Sequence, residues 1–209
     1  MSSSPVRMRR SLRSNAFCLL ALVLLCGVDL GSKVWAADQL SEPISSPPPV
    51  CDPSEHGHAP PQRNATRRIS LIDDHLEFHY TENCGAAFGL LRNAPATLRQ
   101  VVLGGAALLA SMALFWMFAK GQGGVAFAFA VPCIIAGALG NLVDRARLGY
   151  VVDFIRLYWS EPIPLLGHAW PTINVADMAI TVGVALLLID SRRRGSRAPA
   201  NVENGPIAA

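Results

Sequence analysis

Four apolar segments dominate this chain, and carboxylic acids lie in or beside three of them. The segments run from Phe17 to Ala37, Leu98 to Ala119, Val125 to Val143 and Ile173 to Ile189. Each is about 17–22 residues long, enough to cross a hydrocarbon core of about 30 Å at 1.5 Å per helical residue. Backbone polar groups must be satisfied internally in lipid, so the segments are predicted to be membrane helices. The acids are what constrain function. Asp29, Asp144 and Asp177 lie in or at the ends of the segments, and Asp153 sits in the apolar run Val151-Val152-Asp153-Phe154-Ile155. A carboxylate at membrane depth costs about 2.5–3.5 kcal/mol on insertion scales, so it is usually paired or functional.

Composition agrees with a membrane protein. Of 209 residues, 51% are hydrophobic and 16% are charged, against about 25% charged in a soluble domain. The net charge of +3 is too small, and the arginines too scattered, for a nucleic-acid partner. Arginines gather at the two ends, at Arg7, Arg9, Arg10 and Arg13, and at Arg192, Arg193, Arg194 and Arg197. By the positive-inside rule both termini are expected in the cytoplasm, which an even number of spans satisfies. The organisation expected is a cytoplasmic N-terminus over 1–16, a four-helix membrane domain over 17–190 with an outer insert at 41–68, and a disordered cytoplasmic tail over 191–209. Lys120-Gly121-Gln122-Gly123-Gly124 is then a cytoplasmic hairpin, and residues 38–97 and 144–172 face the other side, periplasmic or extracellular. Asp29 falls about 18 Å along the first span. Asn141, Asp144 and Arg145 end the third, and Asn174 and Asp177 begin the fourth. The polar groups therefore converge at one depth, near the outer boundary.

The first segment has a competing reading as a cleavable signal peptide, since a basic start and an apolar run precede Val34-Trp35-Ala36. Asp29 and Lys33 speak against cleavage: they form an i, i+4 pair with the acid N-terminal, the favourable order on a helix face. Cys26 hints at a lipobox, but Leu25 is too large for the position before such a cysteine. Residues 41–68, rich in Pro, Ser and His, are predicted to be a mobile loop. His56 and His58 near Cys51, Asp52 and Glu55 have metal-ligand chemistry, but the preferred reading is a solvated loop, and the cysteines show no zinc spacing. From Leu76, apolar and polar residues alternate, as they do from Phe154 to Trp159, so two strands are expected. Together they predict a small sheet on the outer membrane surface, with Phe78, Tyr80, Phe88, Tyr158, Trp159 and Trp170 in the interfacial belt. Cys51 and Cys84 share that oxidising side, as a disulfide or as two free thiols. Asn64-Ala65-Thr66 matches a glycosylation sequon by accident.

The spacing of the polar residues suggests chemistry. Asn141, Asp144 and Arg145 share a helix face at i, i+3 and i+4, and Asn174 and Asp177 share one at i, i+3. A chain of nine residues after Asp144 can fold back to set Asp153 opposite Asp177. Two poorly solvated carboxylates facing each other cannot both ionise easily. Such a pair can divide peptide hydrolysis, one drawing a proton from water and the other hydrogen-bonding the scissile carbonyl. Nearby asparagines and backbone N–H groups can stabilise the oxyanion. The structural alternative, an ion pair or helix cap, is preferred for Asp29 with Lys33, for Asp144 and for Arg145. It stays open for Asp153 and Asp177.

These residues occur in motifs that resemble a known family. Asp29-Leu-Gly-Ser-Lys33, Asn83-Cys-Gly-Ala-Ala-Phe88, Gly137-Ala-Leu-Gly-Asn141-Leu-Val-Asp144-Arg145, Gly149-Tyr-Val-Val-Asp153-Phe154 and Ile173-Asn174-Val-Ala-Asp177 are similar, in order and spacing, to the lipoprotein signal peptidases (signal peptidase II), an aspartic intramembrane peptidase family. They spread over about 150 residues. The resemblance implies a membrane all-α fold of four transmembrane helices with a small periplasmic β-cradle. It implies removal of the signal peptide from diacylglyceryl-modified prolipoproteins, by cleavage before the lipidated cysteine, in the bacterial inner membrane. The family's catalytic aspartates fall on Asp153 and Asp177. Its supporting residues fall on Asn83, Asn141, Asp144, Arg145 and Asn174, with Gly85 in the Asn83 motif, and its first-span pair on Asp29 and Lys33. The resemblance also implies no metal or other cofactor, a monomer, and inhibition by the cyclic peptide globomycin. Two features depart from the pattern. The loop after the first span is longer by roughly twenty residues, and Ile173 stands where phenylalanine is common.

Two other readings compete. A proton- or cation-coupled carrier predicts acids spread across the membrane depth, and a non-enzymatic scaffold predicts acids that matter only for stability. Shortening residues 43–66 is expected to leave activity largely intact.

Overall fold

The computed structural model describes residues 12–51, 60–85, 94–164 and 167–195. In chain order these form α1 (Leu12–Leu40), β1 (Ser41–Pro43), β2 (Arg63–Ala65), β3 (Arg68–Ile72), β4 (Leu76–Asn83), α2 (Ala96–Ala119), α3 (Val125–Leu148), β5 (Val151–Ile163), β6 (Gly167–Ala169) and α4 (Val175–Gly195). His56, His58 and their acidic neighbours, Phe88, the arginines before Leu12, and residues 196–209 lie outside the described residues.

Among the described residues, three helices are long and apolar enough to cross a membrane: Ser14–Leu40, Thr97–Ala119 and Val125–Leu148. Their outer faces carry bare apolar side chains, such as Leu19, Leu24 and Val28 on α1 and Val101, Leu109 and Phe115 on α2. An unburied apolar surface of this extent suits lipid rather than water. The helices outrun the expected segments. α1 continues to Leu40 and α3 to Leu148, past the charged Asp144, Arg145 and Arg147, because intrahelical hydrogen bonding does not stop where apolarity does. Gly149 ends α3 in the left-handed conformation at φ 85°, which glycine adopts without steric cost. α4 differs from the other three: its apolar stretch, Met178–Ile189, lies between Asp177 and Asp190 and extends only about 18 Å.

α4 lies against α3 along glycines. A Cβ at Gly137 would collide with the Ala176 carbonyl oxygen, and one at Gly140 with the Asp29 carboxylate. A Cβ at Gly183 would stand 2.5 Å from Ile134 Cγ1. Small residues replace the missing hydrophobic drive between helices in lipid by allowing backbones to approach. At the far end of α4, Asp190 accepts the backbone N–H groups of Gly124 (3.0 Å) and Phe127 (3.4 Å) and so caps α3.

The described residues of the 41–68 stretch include ordered strands. β3-β4-β5-β6 form an antiparallel sheet, and β1 pairs with β2. Alternation located β4 and β5. β1, β2 and β3 fall in or overlap the 41–68 stretch that reads as unstructured, and long-range contacts supply their order. Glu82 of β4 accepts the N–H groups of Gln62 (2.7 Å) and Arg63 (2.9 Å). Cys51 and Cys84 are joined as a disulfide. Tyr80 is not in an interfacial belt: it is buried with Ala36, Leu40, Tyr150, Val152 and Phe154 in the core between the end of α1 and the sheet. Trp35, Phe78 and Phe154 pack edge to face there, at ring-centroid distances of 5.3, 5.7 and 6.2 Å. A second cluster, Phe118, Phe127, Val131 and Ile135, lies at the opposite end of the helices. Residues 191–195, expected to be disordered, continue α4, and Arg194 pairs with Asp190 at 2.8 Å.

Gly137→Ala is expected to destabilise the protein by about 1–3 kcal/mol through overpacking. Gly105→Ala, where an added Cβ meets nothing within 4 Å, should leave stability unchanged or higher. Thermal unfolding in detergent measures both, and equal midpoints would contradict the close α3–α4 contact.

Candidate active site

Asp153 lies on β5, where the strand leaves the end of α3, and a one-residue bridge sets its neighbour. Ile173 exchanges hydrogen bonds with Ile155, N–H to oxygen at 3.0 and 2.8 Å. The residue after this bridge, Asn174, is thereby held beside Asp153 and starts α4. Asn174 Oδ1 accepts the Asp177 N–H (2.9 Å), and Asp177 Oδ2 accepts the Asn174 N–H (3.2 Å). This reciprocal cap is the Asn/Asp form of a capping box. It places the Asp177 carboxylate in the first turn of α4, where the helix N-terminus favours negative charge.

The two acids share their supports. Asn174 Nδ2 donates to Asp153 Oδ1 (2.7 Å) and to Asn141 Oδ1 (3.1 Å). Asn141 Nδ2 donates to Asp177 Oδ1 (2.9 Å). Asn83, the last residue of β4, donates to Asp153 Oδ2 (2.9 Å) and accepts the Gly85 N–H (3.0 Å). Arg145 donates to the Gly85 carbonyl (2.9 Å) and to the Asn141 carbonyl (3.3 Å). Asp153, Asp177, Asn83, Gly85, Asn141, Arg145 and Asn174 therefore form one connected group.

Behind it lies a charged cluster. Lys33 Nζ is 2.9 Å from Asp29, 3.1 Å from Asp144 and 2.9 Å from Asn141 Oδ1. Asp29 also accepts the Ala176 N–H (2.8 Å) and Asp144 the Val152 N–H (3.1 Å). Sequence spacing pointed to the Asp29–Lys33 pair. It missed Asp144 as a second partner of Lys33, because that contact crosses from α1 to α3 and leaves no local pattern. Glu82 and Asp190 were missed for the same reason. The asparagine amides point to the carboxylates and hold them.

The environments of the acids differ. Asp153 is 1% exposed, and Asp177 is half-buried. Burial, and then the charge of Asp177, push the Asp153 carboxyl up to about 7, opposed by the hydrogen bonds from Asn83 and Asn174 and by Lys33. A carboxyl titrating near neutrality can hold or release a proton at working pH. Among the described residues no group of three or more His, Cys, Asp or Glu side chains is placed to hold a metal ion.

Comparison with known proteins identifies a family. The family described as signal peptidase (SPase) II matches residues 21–193. A lipoprotein signal peptidase of Acinetobacter baylyi is 39% identical over 116 residues, which are 56% of this chain and 62% of that protein. The chain thus spans less than two thirds of that relative. A lipoprotein signal peptidase of Geobacter sulfurreducens is 40% identical over 129 residues, 62% of this chain and 76% of that protein. Two solved bacterial membrane enzyme structures share the fold. One has a TM-score of 0.63 at 24% identity and covers 91% of this chain and 95% of its own. The other has a TM-score of 0.56 at 25% identity and covers 83% and 91%. With the family match running from α1 through α4 and across every residue of the site, the chain belongs to the signal peptidase II family of peptidases.

Proposed function

We propose that this protein is a membrane aspartic endopeptidase that removes the signal peptide from diacylglyceryl-modified prolipoproteins, cleaving just before the lipidated cysteine. The observation that carries the reading is one buried and one half-exposed carboxylate, Asp153 and Asp177, tied together through Asn141 and Asn174 at the end of apolar helices.

Asp177, at the helix N-terminus, is the base. It takes a proton from water, whose oxygen attacks the scissile carbonyl carbon. Asp153 holds the other proton and gives it to the carbonyl oxygen, which leaves a neutral gem-diol. In the collapse, Asp177 returns its proton to the departing amide nitrogen, and Asp153 recovers one from a diol hydroxyl. Both acids finish as they began. Asn83, Asn141 and Asn174 orient the carboxylates, and Asp29, Lys33, Asp144 and Arg145 fix the asparagines and the strand that carries Asp153.

The reading includes α4 as a fourth span, its short apolar middle flanked by Asp177 and Asp190. Arg192, Arg193 and Arg194 then mark the cytoplasmic side, both termini are cytoplasmic, and the site lies near the periplasmic face of the bacterial inner membrane. A diacylglyceryl substrate suits that depth. Its acyl chains, contributing about 0.8 kcal/mol per buried CH₂, hold the cysteine at the boundary and lower the entropic cost of positioning the bond. One chain supplies every group in the site, consistent with a monomer, and globomycin is expected to inhibit by occupying it.

The test is a gel-shift cleavage assay in detergent. Wild type should cleave the diacylglyceryl-modified precursor and spare the unmodified one. Asp153→Asn and Asp177→Asn should each lower kcat by about 10²–10⁴-fold or more. Asp153→Asn also turns an NH₂ toward one of two N–H donors, at a cost of about 1–3 kcal/mol in stability, but both variants should stay folded. Equal cleavage of the two precursors would remove the lipid requirement. Well-folded wild type that cleaves neither would overturn the reading in favour of a carrier or scaffold.

The pH dependence has a definite sign. Asp153 must be protonated, and its carboxyl is pushed up to about 7. Above that pH it loses the proton, so kcat/KM should fall on an alkaline limb beginning near pH 7. A kcat/KM that keeps rising through pH 9 would show that the proton does not sit there.

A further inference from the structure

The long insert after α1 is fastened to β4 on both sides of Asn83. Immediately before Asn83, Glu82 accepts the Gln62 and Arg63 N–H groups at 2.7 and 2.9 Å. Immediately after it, Cys84 is disulfide-bonded to Cys51, across 33 residues of sequence. The insert is itself anchored to the helices. The Cys51 carbonyl accepts the buried Arg99 guanidinium of α2 at 2.9 Å. Arg63 donates to the Ala37 carbonyl (2.9 Å) and the Ser41 carbonyl (3.2 Å) at the end of α1, and to Ser41 Oγ (2.8 Å). Asn83 ends its strand, so nothing of the β4–β5 ladder continues past it, yet its amide must meet Asp153 Oδ2 at 2.9 Å. Beyond it, the described residues reach only Gly85, held by Arg145. A crosslink that only stabilised the fold could join the insert to any strand of the sheet. Fixing Asn83 calls for holds on residues 82 and 84, and those are where they are.

We propose that the Cys51–Cys84 disulfide and the Glu82 contacts form a strap that positions Asn83 against Asp153, so that turnover depends on the oxidised insert. Asn83 touches the reacting acid, and Cys51, Cys84 and Glu82 act through it as positioning residues. The inference rests on the peptidase reading above and deepens it. It reverses the expectation that residues 43–66 are dispensable.

The test uses the full chain in detergent with diacylglyceryl-modified prolipoprotein. It compares oxidised wild type, Cys51→Ala/Cys84→Ala, Asn83→Ala and the triple variant. Removing the disulfide should lower kcat by about ten- to a hundredfold with KM within about twofold. It should also move the alkaline limb to higher pH, because the Asn83 hydrogen bond opposes the rise of the Asp153 carboxyl. In the Asn83→Ala background the cysteine substitutions should add little. An unchanged kcat, a loss that multiplies in full with that of Asn83→Ala, or a loss confined to KM would overturn the strap. Should the cysteine variant fail to fold, dithiothreitol on folded wild type replaces it. The reagent gives two electrons and two protons to the cystine, yielding two protein thiols and its own cyclic disulfide. Reduced, folded protein with undiminished kcat would equally overturn the strap, and a lower kcat with the shifted limb would support it. Failure of oxidised wild type to cleave at all would instead sink the peptidase reading, so the two failures are told apart.

Discussion

The rest of the site depends on the Lys33 ammonium. It has three N–H donors and no acceptor, and it meets three oxygens, on Asp29, Asp144 and Asn141. Because it can only donate, Asn141 must turn its oxygen to Lys33 and its NH₂ to Asp177. Asn174 is fixed in the same manner: its oxygen faces the Asp177 N–H, so its NH₂ faces Asp153. Asn83, whose oxygen faces the Gly85 N–H, completes the set. Obligate donors therefore decide which end of each amide reaches an acid. Removing one member of a buried charged cluster costs about 3–5 kcal/mol, since the remaining charges lose their compensation. Here it would also release the amides that orient the acids.

Close helix packing is what permits this wiring. Gly140 leaves room for the Asp29 carboxylate, and Gly137 lets the start of α4 approach α3. Asp29 reaches the Ala176 N–H only because of that approach. The same short distance brings the capped N-terminus of α4 to the strand that carries Asp153. Stability and chemistry are thus coupled at the glycines: a methyl group there disturbs helix packing and the acid pair together. The opposite end of α4 is secured by Asp190 across the α3 N-terminus, so the helix is fixed at both ends.

What was legible in the sequence was what local period encodes. The apolar segments, the Asp29–Lys33 spacing, the Asn141–Asp144–Arg145 face and the alternation in β4 and β5 all follow from contacts between near neighbours in the chain. The motifs point to the two acids, and the structure sets them in one hydrogen-bonded group. The sequence leaves a helix cap open for Asp177, and the structure shows that cap, shared with Asn174. Lys33 with Asp144, Glu82 with Gln62, and Asp190 with Gly124 were not legible. Each joins residues far apart in the chain, so no window along the sequence contains both partners. Residues 41–68 looked disordered by composition, because the contacts that order their ends come from α1, β4 and Cys84.

On the proposed reading the acids are unequal: the buried Asp153 holds a proton, and the half-buried Asp177 takes one from water. Infrared difference spectroscopy across a pH titration reads this most directly, through the C=O stretch of a protonated carboxyl. Wild type should lose such a band between pH 6 and pH 8, centred at about 7, and Asp153→Asn should not show it. A band that survives in Asp153→Asn and vanishes in Asp177→Asn would place the proton on the other acid and contradict the assignment.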